Sequence, residues 1–223
     1  MQPQGNILSP ILRQAWDSGM LHQIVKTNPL HATDAHISIV GHISSEELRR
    51  LLNEIEVANG LANRFLFACA KRTNVLPEGG GQPAYAELAA DLSIALSKGR
   101  MVGLIERDQD AKASWAAVYP NLSEGKPGLI GALRNRAEAQ VQRLQNVYAA
   151  LDGSAVIRPV HVDAALAVWE YSERSIRYVF GGNTGNKTAD KILQSLSASM
   201  DGLTRTQISQ SLGNNVPSVE IQH

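Results

Sequence analysis

The stretch "GLIGALRNRAEAQVQRLQNVYAALDG", residues 128–153, constrains this chain more than any other. Leu133, Ala137, Val141, Leu144, Val147 or Tyr148, and Leu151 recur at steps of three and four, and Gly153 sits just beyond them. That spacing draws one apolar stripe along a helix, and a glycine past its end is a stop signal. A stripe of this kind must be covered. The next long segment, "VHVDAALAVWEYSERSIRYVF", provides the cover, with Val162, Leu166, Trp169, Ile176, Val179 and Phe180 on one face. The connection "SAVIRP" is short enough to make the two helices antiparallel neighbours.

Helical pattern extends on the N-terminal side. "LPEGGGQP" reads as a linker, and helix formers follow from Tyr85 to Leu96. Residues 9–73 are different. Ser9 and Pro10 read as N-cap and first residue of a helix through Trp16, ended by Gly19. "LHQIVKT" and "HISIVGHI" alternate apolar with polar residues, as half-buried strands do, and "KTNPLHATDA" between them predicts a hairpin with a long tip. Ser44-Ser45-Glu46-Glu47 opens a helix with acidic residues in its first turn. "ANRFLFAC" is a further short strand candidate. These strands are too few for a complete doubly wound sheet.

From Thr188 a third unit begins. Ile192, Leu193 and Leu196 face inward on one helix, Asp201-Gly202 makes a turn, and Thr204 caps a second helix carrying Ile208 and Leu212. This is the start of a helix-turn-helix or winged-helix unit, whose third helix would begin near Ser218. The expected fold class is an α/β remnant, a few-stranded sheet with a hairpin, followed by a mainly helical lid and a partial C-terminal winged helix. It is predominantly α overall. The expected divisions are 1–76, 82–180, a linker at 181–187, and 188–223.

Lys+Arg and Asp+Glu balance at 21 each, so global charge announces neither a nucleic-acid nor a membrane partner. The single Cys69 excludes an internal disulfide, and its apolar run Phe65 to Cys69 points to a buried, inert thiol. No apolar stretch reaches membrane-spanning length, and "MQPQGNILSP" has no charged or apolar signal region. The expected location is the cytoplasm.

"FGGNTGNKT", residues 180–188, mimics the phosphate-binding template G-x-x-x-x-G-K-[ST] through Gly181, Lys187 and Thr188. Asn186 stands where the second glycine belongs. A working loop needs a buried strand before it, so that backbone amides and a helix N-terminus converge on phosphate. The preceding "WEYSERSIRYVF" has helical periodicity instead, with Glu170, Glu173, Arg174 and Arg177 on its other face. No apolar run ending in Asp-Glu follows to hold magnesium. The segment reads as a linker.

The order of these pieces, a hairpin running into "HISIVGHIS", then a helix, "NGLANRFLF", two lid-like helices and a winged-helix start, resembles the second half of an AAA+-type helicase ATPase. The arrangement is similar to that of the minichromosome-maintenance helicases, and closest to the P-loop primase–helicase-like ATPases of phages, plasmids and mobile elements. The resemblance implies roles for particular residues. His42 or Ser44 would be the polar sensor at a strand end, Arg64 of Asn63-Arg64-Phe65 the arginine finger, and Arg134, Arg136 or Arg143 a lid sensor. Lys26 would meet a DNA phosphate from the hairpin. Such arginines stabilise charge on a transferring phosphoryl group. The Walker A and Walker B motifs are missing, so the resemblance implies a chain that binds no cofactor alone. ATP and magnesium would belong to an assembly completed by the nucleotide-binding half or a neighbouring subunit, with DNA as substrate and a homo-oligomer possible.

Two other readings stand beside it. His22, His31, His36 and His42, with Asp34, could ligate zinc. Alternatively the chain is a non-enzymatic module that docks DNA or a protein partner, with Arg205, Thr206 and Gln207 contacting phosphates.

Overall fold

The computed structural model describes residues 8–22, 30–52, 54–81, 84–182, 187–199 and 202–213. Ten α-helices and four two-residue strands make up the regular structure of these residues, so the fold is mixed α/β and predominantly helical. The chain divides into two compact units, one of residues 1–62, 126–133 and 179–223, the other of 63–125 and 134–178.

In the first unit, α1 (Leu8–Asp17) runs into an antiparallel hairpin of β1 (Leu21–His22) and β2 (His31–Ala32). Gly19 lets the backbone approach closely where the chain folds back. A Cβ there would meet the Asp34 Cα at 3.1 Å, and the Gly19 carbonyl accepts from the Ala35 amide at 2.8 Å. Helix α2 (Ser45–Leu51) starts at Ser44, whose Oγ accepts from the Glu47 amide at 3.2 Å. Helix α3 (Glu54–Ala58) is held to α1 by Arg13, whose Nη1 donates to the Asn59 carbonyl just beyond α3 at 3.0 Å. Helix α6 (Gly128–Arg134) lies mostly in this unit, as do α9 (Lys187–Ser197) and α10 (Arg205–Ser211), which pack on each other.

The second unit holds α4 (Tyr85–Met101), β3 (Glu106–Arg107), α5 (Gln109–Ser123), α7 (Ala137–Leu151), β4 (Val156–Ile157) and most of α8 (Pro159–Phe180). Its core follows the stripe expected on α8, while α7 buries Ala137, Gln140, Val141, Gln145 and Ala149 and leaves the expected Val147 and Leu151 exposed. Ala137 and Val141 of α7 meet Leu122 of α5 and Ala165 and Trp169 of α8, and a second cluster joins Ala111, Ala149, Ile157 and Val162. Of the inward residues expected on α8, Val162, Trp169, Ile176, Val179 and Phe180 are buried and Leu166 is half-buried. Pro159 opens α8 at the position where its missing N–H costs nothing.

Four expectations change. Residues 128–151 form two helices, because the chain turns at Asn135-Arg136; Arg136 has φ −128° and ψ 26° at the cap of α7. "HISIVGHI" forms no strand: the hairpin pairs Leu21–His22 with His31–Ala32, and residues 35–44 run on without helix, turn or bend. Alternation prepares a strand for a partner but does not supply one. "ANRFLFAC" begins as a 3₁₀ turn, Ala62–Arg64, and then lies along α8, where the Phe67 and Cys69 amides donate to Ser172 Oγ and Ser175 Oγ at 2.9 and 3.0 Å. "SAVIRP" contains β4, parallel to β3. Lys26 and the third helix expected near Ser218 lie outside the described residues. Helix α8 continues to Phe180, so a helix precedes the phosphate-loop mimic. None of the described helices is long and apolar enough to cross a membrane.

Candidate functional site

The best-defined gathering of chemically active side chains lies at the start of α7. Asn63 is buried, and its carbonyl accepts a hydrogen bond from Gln140 Nε2 at 3.3 Å. Gln140 sits one turn into α7, four residues after Arg136 and three before Arg143. Residues at those spacings are neighbours on one helix face. The Gln140 bond therefore seats the turn carrying Arg64 against α7, the helix that Arg136 caps and that carries Arg143. Arg64 and Arg136 are half-buried and Arg143 is exposed.

Arg134 has another task. It is 8% exposed and makes an ion pair with Glu173 of α8, Nε to Oε1 at 3.2 Å and Nη2 to Oε2 at 3.3 Å. Glu173 also takes Arg177 at 2.7 Å, four residues on. Glu173 thus holds one edge of the Arg134 guanidinium, the side-on arrangement of an arginine–carboxylate pair.

The remaining sequence-derived positions are dispersed. Ser44 caps α2 and His42 is exposed before it, both in the first unit. Thr204 and Gln207 form a capping box at α10: the Thr204 amide donates to Gln207 Oε1 at 2.8 Å, and Thr204 Oγ1 accepts from the Gln207 amide at 3.3 Å. That cap occupies the Gln207 carbonyl oxygen and leaves Arg205 and Thr206 exposed on the first turn. His22 and His31 face each other across the hairpin with Nδ1 atoms 3.4 Å apart, but no group of three His, Cys, Asp or Glu side chains among the described residues could hold a metal.

Two polar features escape a sequence reading based on apolar stripes. Arg107 lies 4.5 Å over the Trp115 ring and donates to Gln145 Oε1 at 2.9 Å and to Gln142 Oε1. Burial lowers its pKa. Gln145 is fully buried on the inner side of α7, and a glutamine at an inward helical position was the available signal. The second feature is His161, 2% exposed, beside Asp152. Its Nδ1 accepts from the Arg158 amide at 3.0 Å, so the ring proton sits on Nε2 and is donated to Asp152 Oδ2 at 3.0 Å. The pair has the outline of a catalytic dyad, yet the nitrogen that would act as a base is spent on the cap of α8.

The chain finds no match among protein-family models, curated proteins or solved structures.

Proposed function

We propose that this chain is a non-enzymatic helical binding module that presents a group of arginines, Arg64, Arg136 and Arg143, to phosphate. The observation that carries the reading is the Gln140–Asn63 hydrogen bond, which joins the Arg64 turn to α7, the helix that Arg136 caps and that carries Arg143. Guanidinium is suited to this task because it stays charged and can grip phosphate oxygens through two parallel N–H groups. Arg134, tied to Glu173, positions the entry to α7 and takes no part in binding. In this reading α9 and α10 are the opening helices of a winged-helix unit, with Arg205 and Thr206 adding phosphate contacts.

The phosphate could belong to DNA or to a nucleotide held by a partner protein, and one titration series separates them. Fluorescence anisotropy with single-stranded DNA, duplex DNA and a labelled ATP analogue measures each source directly. Binding to DNA should weaken steeply with salt, and each arginine removed should flatten the log–log slope by about 0.9 for a duplex contact. Affinities unchanged in Arg64→Ala, Arg136→Ala and Arg143→Ala would sink the proposal.

A second reading starts from one specific feature, the Gln140–Asn63 hydrogen bond, which joins the Asn63-Arg64-Phe65 turn to the helix that Arg136 caps. It is the arrangement the helicase resemblance implies for a finger and a lid sensor. Here the chain would complete the site of a P-loop ATPase whose nucleotide-binding half is on another polypeptide segment or subunit. Addition of the chain would then raise the ATP turnover of that partner, and Arg64→Ala would abolish the rise. Magnesium-dependent ATP turnover by this chain alone would contradict both readings.

A further inference from the structure

The segment Ala35–Ser44 has the pattern of a strand and, among the described residues, no strand partner. It runs without helix, turn or bend. Among the described residues, nothing exchanges a backbone hydrogen bond with residues 36–43, while the flanking Ala35 amide and Ser44 carbonyl are both engaged. Ile37, Ile39 and Ile43 are 48%, 49% and 50% exposed, and Val40 is 89% exposed. At a period of two, Ile37, Ile39, Gly41 and Ile43 would share one face and His36, Ser38, Val40 and His42 the other. Apolar side chains in such a row, beside unpaired main-chain donors and acceptors, form a template for strand addition.

We propose that residues 36–43 add as a strand to the open sheet edge of a partner protein, burying the isoleucine face against that partner. The inference goes beyond the phosphate-binding reading and names a separate way in which the chain would hold a partner. Only another strand satisfies a row of donors and acceptors while leaving alternate side chains on opposite faces. A second copy of the chain is the weaker occupant. Two lone strands make a ribbon that is marginal in water, whereas a formed sheet backed by its own core supplies both the ladder and a covered surface for the isoleucines.

The test uses the full chain carrying the photocrosslinker p-benzoylphenylalanine in place of Val40, irradiated in the cells that naturally produce it. The expected product joins position 40 to an edge strand of one partner, with the crosslinked residue identified by peptide mass. A proline scan across 36–43 then reads the geometry. A strand added at an edge donates to its neighbour only through alternate amides, so prolines at one parity should reduce crosslinking at least tenfold and those at the other much less. Because these amides bond to nothing described within the chain, the variants should melt like the parent, and thermal denaturation checks that they do.

Crosslinks to a helix or loop, sensitivity without alternation, or no discrete product would overturn the inference. So would crosslinks to a second copy, together with a dimer in sedimentation. The two proposals fail separately. Crosslinking that persists when Arg64, Arg136 and Arg143 have no effect on phosphate binding removes the proposed function alone. Phosphate binding that persists without strand crosslinks removes the strand inference alone.

Discussion

Gln140 of α7 donates its side-chain amide to the main-chain carbonyl of Asn63, 77 residues earlier, and both residues are buried. This bond is the join between the Arg64 turn and the helix that carries Arg136 and Arg143. Gln140→Leu fills similar space but removes the side-chain donor to the buried Asn63 carbonyl. The expected cost is about 1–3 kcal/mol in urea denaturation. Under the proposed function, phosphate affinity should fall as well, because the Arg64 turn loses its hydrogen bond to α7. Gln140→Glu, which cannot donate at neutral pH, should behave like the leucine variant.

The buried imidazole of His161 serves as a cap. His161→Ala removes the acceptor for the Arg158 amide and the contact to Asp152, and should lower stability by about 1–2 kcal/mol. His161→Gln restores a side-chain oxygen at the third helical position, where it can accept from the cap amide as in a capping box, and should recover part of that loss. Equal melting of the alanine and glutamine variants would contradict the capping role.

What the sequence made legible was the helix whose apolar residues keep one phase. Val162, Trp169 and Ile176 are buried as their spacing demands, and Gly153 ends α7 with φ 65°. Where a structure depends on a long-range partner, local pattern was mute. "HISIVGHI" alternates correctly and pairs with nothing described. The amides of Phe67 and Cys69 bond to serine hydroxyls over 100 residues away, on a helix face that period alone marks as polar. Arg64, Arg136 and Arg143 were singled out by a family-like spacing alone, and the engagement of Arg134 by Glu173 was not foreseen, since nothing local links residues 39 apart.

Gly99 sets the approach of α4 to α7. A Cβ at this position would stand 2.9 Å from the Ala150 carbonyl oxygen, closer than real Cβ atoms come. Gly99→Ala therefore forces the helices apart and should cost about 1–3 kcal/mol, although alanine is the better helix former. Gly103 is the control: a methyl group there would have nothing within 4 Å, and Gly103→Ala should change stability by less than about 0.5 kcal/mol. Chemical denaturation measures both variants.

Helix α2 carries a modest acid sensitivity. The Glu46 pKa lies below its usual value, chiefly because its own backbone amide donates to the carboxylate, then because Ser45 Oγ does, with Arg49 adding attraction. A carboxylate whose pKa is depressed by folding stabilises the folded form above its unfolded pKa and loses that contribution as pH falls through the folded value. Helicity at α2, followed by amide chemical shifts, should therefore decline as pH drops below about 4.5, the ordinary glutamate value. Glu46→Gln should flatten this response.

Arg107 tests how a half-buried cation is retained. Its guanidinium stacks on Trp115 and donates to Gln142 and Gln145, so the planar fork is used on its face and at its edges. Lysine keeps the charge but has neither the flat face nor the fork. Arg107→Lys should therefore recover little of the loss seen in Arg107→Ala, which is expected at about 2–3 kcal/mol because the buried Gln145 oxygen is left without its donor. Arg107→Ala combined with Gln145→Leu removes donor and acceptor together and should be more stable than Arg107→Ala alone. If the double variant is the less stable of the two, the Arg107–Gln145 bond does not account for the cost of the single substitution.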